Sequence, residues 1–374
     1  MLTLVTAPAL AADDGMLPGQ DAITDTQTAV VDTAAVGSLD GILDRLAQAR
    51  VVIVGEAHDR YEDHLNQLAI IRGLHDRGKD LAIGMEFFQQ PFQPQLDAFV
   101  GGELDEAGLL RGTEYFERWR YDYRLYRPIL RFAREHSIPI VALNIEREIT
   151  DKVGDAGIGS LSPDEQARIP ADMDRDDVAY RDYVKRVFDM HPKTGDSDFQ
   201  RFLDVQLLWD EGMAERAAAY LQDHPDKTLV VLAGAGHVEY RRGIPSRLER
   251  RLGQPGVTVV SGRMRPFDTE LADFILYPKP VELPETGMLG VMLDPKSKGK
   301  GLGVQGFADG SGAKSAGIEK GDRIVRIDGE PIESYADIRI ALMDSRPGET
   351  LPVEIERSSV LGGHKLLLFD VELH

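Results

Sequence analysis

The sequence predicts an α/β protein in which a parallel sheet is flanked by helices, followed by a second, smaller β-rich domain. Five apolar segments read as strands, with amphipathic helical segments between them; they are residues 51–55, 81–88, 139–144, 228–236 and 257–262. Continuous apolar strands that alternate with helices are typical of a parallel sheet covered on both faces. The charged stretch 145–205 favours helix and indicates a helical insertion over one end of the sheet.

Length and composition limit the classes of protein that the chain can belong to. Its 374 residues are enough for two domains. A net charge of −20 disfavours binding to nucleic acid and to anionic membrane surfaces. The chain has no cysteine, which excludes disulfides, thiolate metal ligands and a cysteine nucleophile.

The first residues suggest export. An apolar run ends in Ala9-Leu10-Ala11, the small-residue pattern of a signal-peptide cleavage site, although no Lys or Arg precedes Arg45. We therefore expect a signal peptide over residues 1–11, a flexible leader over 12–37, and a soluble periplasmic or secreted protein.

The remainder divides into two predicted domains and a linker. The α/β pattern spans residues 38–265, and the proline-rich stretch 266–284 is predicted to be a linker. Residues 285–374 have short strand-like segments, glycine turns and a single helical segment, which predicts a small β-rich domain.

Polar side chains lie at the carboxyl ends of four predicted strands. Glu56 and His58 follow the first strand, Glu86 the second, Asn144 the third and His237 the fourth. In an open parallel sheet, ligands bind beyond the carboxyl ends of the strands. The sequence therefore predicts one shared functional site built from these residues.

Two ligand chemistries are open at such a site. Two imidazoles and a carboxylate, here His58, His237 and Glu86, can hold a divalent metal such as zinc and leave a position for water. Glu56 or Glu86 could then act as the catalytic base of a metal-dependent hydrolase. The spacing is not that of a helical H-E-x-x-H site.

A family resemblance favours a different ligand. The motifs "GEAHDRYEDHLNQ" from residue 55 and "GAGH" from residue 234, with "MEFF", "VALNIER" and "VQLLWDEGMAERAA" in order between them, resemble the ChaN-like haem-binding proteins of the Tiki superfamily. Ala235 departs from the asparagine often found there. Relatives elsewhere in the superfamily are metal-dependent proteases, so enzymatic activity stays open.

The resemblance implies haem binding linked to iron acquisition, with tyrosinate ligation of the iron and a possible homodimer. The tyrosines of "TEYFERWRYDYRLYRP" are the candidate ligands, and Tyr126 is the one we expect. The haem-binding residues that it implies are His58, His64, His237, Asn144 and Tyr126.

The C-terminal domain resembles a PDZ domain. The segment "SAGIEKGDRIVRIDGEPI" from residue 315 carries most of that resemblance. PDZ domains bind the C-terminal carboxylate of a partner peptide with backbone amides, and a membrane-associated protein is one candidate partner of this chain. The carboxylate loop would contain Leu289, Gly290 and Val291, and Ile338 and Leu342 would contact the last apolar side chain of that peptide.

Overall fold

A computed structural model describes residues 33–34, 36–190, 198–263, 265, 267–294, 300–358 and 363–374. The expected signal peptide and nearly all of the leader lie outside these residues. Residues 38–374 form one compact unit. Within the described part of the chain, no helix is both long and apolar enough to cross a membrane.

The first domain is built on a parallel sheet of six strands in the order β3-β2-β4-β1-β5-β6. The strands are β1 (Val51–Glu56), β2 (Leu81–Gln89), β3 (Ile140–Asn144), β4 (Thr228–Gly234), β5 (Val257–Ser261) and β6 (Phe274–Leu276). This architecture confirms the predicted fold class.

Helices cover both faces of that sheet. They are α1 (Asp40–Leu46), α2 (Tyr61–Asp76), α3 (Gln93–Val100), α4 (Glu106–Gly112), α5 (Tyr115–Arg118), α6 (Tyr123–Glu135), α7 (Arg147–Ala156), α8 (Pro163–Gln166), α9 (Val178–Met190), α10 (Phe199–Asp223) and α11 (Ile244–Leu252). Helices α7 to α9 and the start of α10 form the predicted helical insertion.

The central strand β1 shows why apolar runs predicted this sheet. Successive side chains of a strand point to opposite faces. Val52 and Val54 pack in one hydrophobic cluster with α2 and α6, whereas Val51 and Ile53 pack in another with α10 and α11. Because both faces are buried, the strand carries no polar alternation.

The second domain has its own antiparallel sheet, in the order β12-β11-β9-β8-β7, with β10 paired to β9. Its elements are β7 (Val291–Leu293), β8 (Leu302–Phe307), α12 (Gly312–Ala316), β9 (Arg323–Ile327), β10 (Glu330–Pro331), α13 (Tyr335–Leu342), β11 (Thr350–Ser358) and β12 (His364–Glu372). A capping box between Ser334 and Asp337 starts α13.

The predicted linker contributes to the first sheet. Strand β6 lies within residues 266–284, and its Phe274 to Leu276 segment pairs in parallel with β5. Proline-rich flanks hid this short strand in the sequence, because prolines near a segment argue against strand structure.

Helix α13 of the second domain packs against the first domain. Arg111 on α4 pairs with Asp337 at 2.7 Å, and Arg127 on α6 donates to Asp344 at 3.0 Å. Ala336 is buried in the hydrophobic cluster of the first domain. Helix α13 therefore contacts helix α4, and the segment directly after α13 contacts helix α6.

Candidate functional site

The carboxyl ends of β1, β2 and β4 bring the predicted polar residues together at one edge of the sheet. Strands β1 and β4 are neighbours, with Glu56 opposite Gly234. A Cβ built on Gly234 would lie 2.8 Å from Cε1 of His58 and 3.6 Å from a carboxylate oxygen of Glu86. The side chains of His58 and Glu86 thus lie together beside Gly234, where a larger residue would collide with the His58 ring.

Glu56 holds the imidazole of His58. Glu56 is buried, and its Oε1 lies 2.6 Å from Nδ1 of His58, while its Oε2 lies 3.4 Å from Nε2 of His64. The carboxylate of Asp63 accepts a hydrogen bond from the Ala57 amide at 3.0 Å, which fixes the turn between Glu56 and His58. His58 keeps 26% of its side chain exposed.

Burial and neighbouring groups act in opposite directions on the pKa values of Glu56 and His58. Burial raises the pKa of Glu56, although the hydrogen bond from His58 opposes the rise. Burial also disfavours the charged form of His58, but Glu56 and Glu86 outweigh it, so the pKa of His58 is raised. Both shifts favour retention of a proton by the Glu56–His58 pair.

Glu86 and His237 form a second pair at the same edge. The Gly234 amide donates to Oε2 of Glu86 at 2.6 Å, and Nε2 of His237 lies 3.4 Å from Oε1 of Glu86. The other ring nitrogen of His237, Nδ1, lies 2.8 Å from the buried carboxylate of Asp210 on α10. Each nitrogen of His237 thus faces a carboxylate.

The pKa values of Glu86 and His237 are shifted in opposite directions, and both shifts favour the charged form. Burial disfavours ionised Glu86, but His237, His58 and the Gly234 amide outweigh it, so the pKa of Glu86 falls to about 2. Burial likewise disfavours protonated His237, yet Asp210 and Glu86 raise its pKa well above the ordinary value. His237 and Glu86 are therefore an ion pair at neutral pH.

His64 and Asn144 lie around this cluster. His64 is buried on α2, where Nδ1 lies 3.0 Å from Oε1 of Gln67 and Nε2 lies 3.2 Å from the carbonyl oxygen of His58. Asn144 donates from Nδ2 to the Glu86 carbonyl at 3.2 Å, and its buried Oδ1 has no hydrogen-bond partner among the residues that the structure describes. Both residues brace the backbone that carries the cluster.

Tyr126 lies beneath the site with its hydroxyl fully enclosed. Its OH donates to the His58 carbonyl at 3.2 Å and accepts from the Trp119 indole at 3.0 Å. Tyr126 has no solvent exposure, and burial raises its pKa far above the ordinary range. The structure thus puts Tyr126 behind Trp119 and His58.

Tyr121 is the tyrosine that reaches the surface of the site. Its ring is 38% exposed and lies 5.0 Å from the ring of His58, and Trp119 contacts His58 edge-on at 4.8 Å. Partial burial and the nearby carboxylates of Glu56 and Asp59 raise the pKa of Tyr121. The sequence offered Tyr121 as one of four candidates without ranking it first.

His58, His237 and Glu86, the predicted metal ligands, lie close together in the structure. Their polar atoms contact one another and neighbouring carboxylates. Among the described residues, no group of three or more His, Asp or Glu side chains is arranged to hold a metal ion. Both nitrogens of His237 are occupied by carboxylates. Metal ligation therefore stays a prediction.

The predicted peptide-binding residues line one groove of the second domain. They lie between the loop before β7 and helix α13, and all line a cavity of about 570 Å³: Leu289, Gly290, Val291, Ile338 and Leu342. Gly290 has a φ of +71°, a conformation that favours glycine. Leu289, Ile338 and Leu342 are almost fully buried in the domain core.

Fold and site together define a two-domain protein, with a polar site at the strand ends of an α/β domain and a groove in a small β domain. The chain belongs to the haem-binding uptake family of ChaN type in the Tiki superfamily, whose model matches residues 42–248. A PDZ-domain model matches residues 287–373.

Solved structures similar to the chain include both kinds of domain. ChaN of Campylobacter jejuni, described with cofacial haem binding, is 17% identical with a TM-score of 0.52, covering 65% of this chain and 92% of that one. The PDZ domain of HtrA3 bound to a phage-derived ligand is 23% identical with a TM-score of 0.20, covering 24% and 85%. No curated protein matches the chain.

Proposed function

We propose that the chain captures haem for iron acquisition at the exposed aromatic surface formed by Tyr121, Trp119 and His58. Membership in a haem-binding family supports the ligand. The observation that carries the location is the 38% exposure of Tyr121 directly beside the ring of His58. Aromatic faces open to solvent offer apolar contact area to a porphyrin.

The donor atoms at this surface fit haem. Haem would supply a ferric iron, and the phenolic oxygen of Tyr121 would ligate it as phenolate, because the charge of the iron would offset the raised pKa of the free phenol. Tyr126 would require the loss of its contacts with Trp119 and His58, which its complete burial opposes. We therefore assign Tyr126 the role of a positioning residue.

The cluster behind the surface holds His58 in place. Glu56 fixes the His58 ring through Nδ1, and His64 contacts the His58 carbonyl. The remaining nitrogen of His58, Nε2, lies toward the end of β4, 3.1 Å from the position of a Cβ on Gly234, so the ring of His58 rather than this nitrogen contributes to the aromatic surface. The ion pair of Glu86 and His237 lies beside these residues at the same edge of the sheet.

A second copy of the chain is the expected cover for the bound haem. A porphyrin resting on Tyr121 and Trp119 would expose its opposite face to water. The ChaN of Campylobacter jejuni is described with cofacial haem binding, which supports a paired arrangement. Light scattering should show haemin-dependent dimerisation of this chain, and a haemin-loaded monomer would contradict it.

A haemin titration followed by absorbance tests the location of the site. Tyr121→Phe removes only the proposed ligand oxygen from an exposed ring, so haemin affinity should fall at least tenfold and the Soret band should shift. Tyr277→Phe is the matched control, since Tyr277 is also exposed and lies in the predicted linker. Equal affinities of the two variants would refute the assignment to Tyr121.

A metal-dependent hydrolase remains the second candidate function. The observation that favours it is the arrangement of His237 between Asp210 and Glu86, with His58 and Glu56 close by. Such paired carboxylates and imidazoles suit proton transfer. Elemental analysis of the purified protein decides between them, because stoichiometric zinc without a Soret change on adding haemin would favour hydrolysis.

We further propose that the PDZ groove recruits a partner through its C-terminus. Ile338 and Leu342 line the groove with apolar side chains, and Gly290 lines it from the loop before β7. Amidating the peptide carboxylate should abolish binding. Leu342→Lys should also weaken it, because a charge would be buried against an apolar side chain. Equal binding of free and amidated peptides would contradict this role.

The expected export of the chain forms part of the same proposal. Its support is the cleavage pattern Ala9-Leu10-Ala11 in the sequence. Fractionation of producing cells should recover the protein, shortened at its N-terminus, outside the cytoplasm. Recovery of unprocessed protein in the cytoplasm would contradict export.

A further inference from the structure

The peptide groove of the second domain is completed by the first domain. The cavity of about 570 Å³ is lined on one side by the residues of β7 and α13, and on another by Phe116, Asp122, Tyr123 and Arg124. These four residues belong to α5, to the turn after it and to the start of α6. A peptide in the groove would therefore contact both domains.

The segment 115–124, which contributes the first-domain wall of the groove, also contains two residues of the aromatic surface at the sheet edge. Phe116 and Tyr123 line the groove, whereas Trp119 and Tyr121, which lie between them in the chain, contact His58. Fewer than ten residues thus connect the two sites. A ligand at either site must contact the same short segment.

This connecting segment is held in an unusual backbone conformation. Helix α5 has only four residues and lies between Glu114, with a φ of 50°, and Arg120, with a φ of 73°. Both are non-glycine residues in the left-handed region, a conformation that such residues adopt only at a free-energy cost. Such positions persist only where the surrounding contacts fix them.

The contacts between the domains hold the wall against the groove. Arg111 pairs with Asp337, Arg127 pairs with Asp344, and the guanidinium of Arg339 lies 5.5 Å from the centre of the Phe116 ring. Two of these contacts involve α13, the helix that forms the groove. Movement of α13 is therefore transmitted directly to α5.

We propose that the groove is a two-domain site for a C-terminal peptide, and that peptide and haem bind in a linked manner through residues 115–123. The inference rests on the proposed function for both ligands. Haem on Trp119 and Tyr121 fixes the turn that ends at Asp122, the N-cap of α6 and part of the groove wall. Each ligand therefore favours the conformation of the segment that the other site requires.

The expected sign of this linkage is positive. When both sites need the same strained conformation of a shared segment, a ligand that binds this conformation raises its population and so favours the second ligand. By thermodynamic reciprocity, haem must raise the affinity for peptide by the same factor by which peptide raises the affinity for haem. We expect a factor of roughly five or more, the lower end of typical couplings.

Calorimetry on the full chain tests the linkage. An array of acetylated heptapeptides with free C-terminal carboxylates, lacking His, Cys, Met and Tyr so that they do not ligate iron, is screened on the chain. The best binder is then titrated into the chain with and without one equivalent of haemin. Its dissociation constant should fall at least fivefold with haemin, and the same change should be absent in Tyr121→Phe.

An interface variant provides the matched control. Arg111→Ala with Asp344→Ala removes two ion pairs between the domains, and Lys152→Ala with Lys227→Ala removes two ion pairs elsewhere in the first domain. The first pair of changes should leave both ligands bound but remove the linkage, whereas the second should preserve it.

The outcomes separate this inference from the proposed function. If haemin and peptide both bind the unmodified chain and neither changes the affinity for the other, the linkage is refuted while both binding functions stand. If no peptide of the array binds, or haemin does not bind, the proposed function fails at that site and the linkage fails with it.

Discussion

His237 is the residue whose charge depends most clearly on its surroundings, because each of its ring nitrogens faces a carboxylate. Its pKa in the folded chain is well above the unfolded value of about 6.5. Its protonation therefore stabilises the fold fully below pH about 6.5, and this contribution is lost as pH rises through the folded pKa.

Urea denaturation of the haem-free protein at pH 6, 7.5 and 9 checks this dependence. The difference in unfolding free energy between the unmodified chain and His237→Gln should be largest at pH 6. It should then shrink by up to ~1.4 kcal/mol for each pH unit above the unfolded pKa. His224→Gln, at an exposed histidine, is the control, and a difference that is independent of pH would contradict the prediction.

Tyr126→Phe separates a positioning residue from a ligand. The change leaves the Trp119 indole and the His58 carbonyl without the Tyr126 hydroxyl, so we expect a loss of about 1–2 kcal/mol in unfolding free energy. Haemin affinity should fall less than in Tyr121→Phe but more than in His75→Ala. Equal haemin affinities of Tyr126→Phe and His75→Ala would remove Tyr126 from the site.

Sequence reasoning could identify the residues at strand ends but could not rank the tyrosines. A parallel sheet directs the ends of its strands to one edge, which was enough to group Glu56, His58, Glu86 and His237. Tyr121, by contrast, is exposed and directly follows Arg120, whose backbone is left-handed. A non-glycine residue in that conformation leaves no signal in the sequence, because tertiary contacts impose it.

At the scale of elements, the end of β4 shows how closely two strands approach the site. A Cβ on Gly234 would lie 2.8 Å from the His58 ring, whereas one on Gly236 would meet only the Tyr183 hydroxyl at 3.8 Å. Gly234→Ala should therefore displace the His58 ring and weaken haemin binding by about threefold or more, with a loss of roughly 1–3 kcal/mol in stability from overpacking.

Gly236→Ala is the matched control for that substitution, two residues further along the chain. It should leave haemin affinity unchanged within error, because its new methyl group makes only an ordinary contact. Thermal unfolding and haemin titration of both variants make the comparison. Identical behaviour of the two variants would contradict the close packing of β4 against His58.

The elements that the sequence predicted well are those whose pattern is set by burial on two faces. Five apolar runs correspond to strands β1 to β5. The three-residue β6 and the four-residue α5 were not predicted, since segments that short carry no measurable period. Both are fixed by pairing or packing with distant parts of the chain.

For the whole molecule, the net charge of −20 acts on any anionic ligand. Haemin carries two propionates, so long-range repulsion should slow its association. Salt shortens the Debye length from about 30 Å at 0.01 M to about 8 Å at 0.15 M. The association rate measured by stopped-flow absorbance should therefore rise about twofold or more over that range, with little change in the dissociation rate.

A fall in the association rate with added salt would contradict this expectation. It would mean that a local basic surface near Tyr121, rather than the net charge, guides haemin to the site. The same measurement on Tyr121→Phe should show the same salt dependence, because the substitution does not change any charge.

The hydrogen bond from the Gly234 amide to Glu86 joins residues that are 148 positions apart. Because β4 lies between β2 and β1 in the sheet, neither earlier strand has its central neighbour until β4 has been synthesised. Such distant pairing forms late, since the intervening chain must first be brought together. A partly synthesised polypeptide therefore lacks this edge of the sheet, and the cluster around Glu86 can assemble only after β4 has been added between β2 and β1.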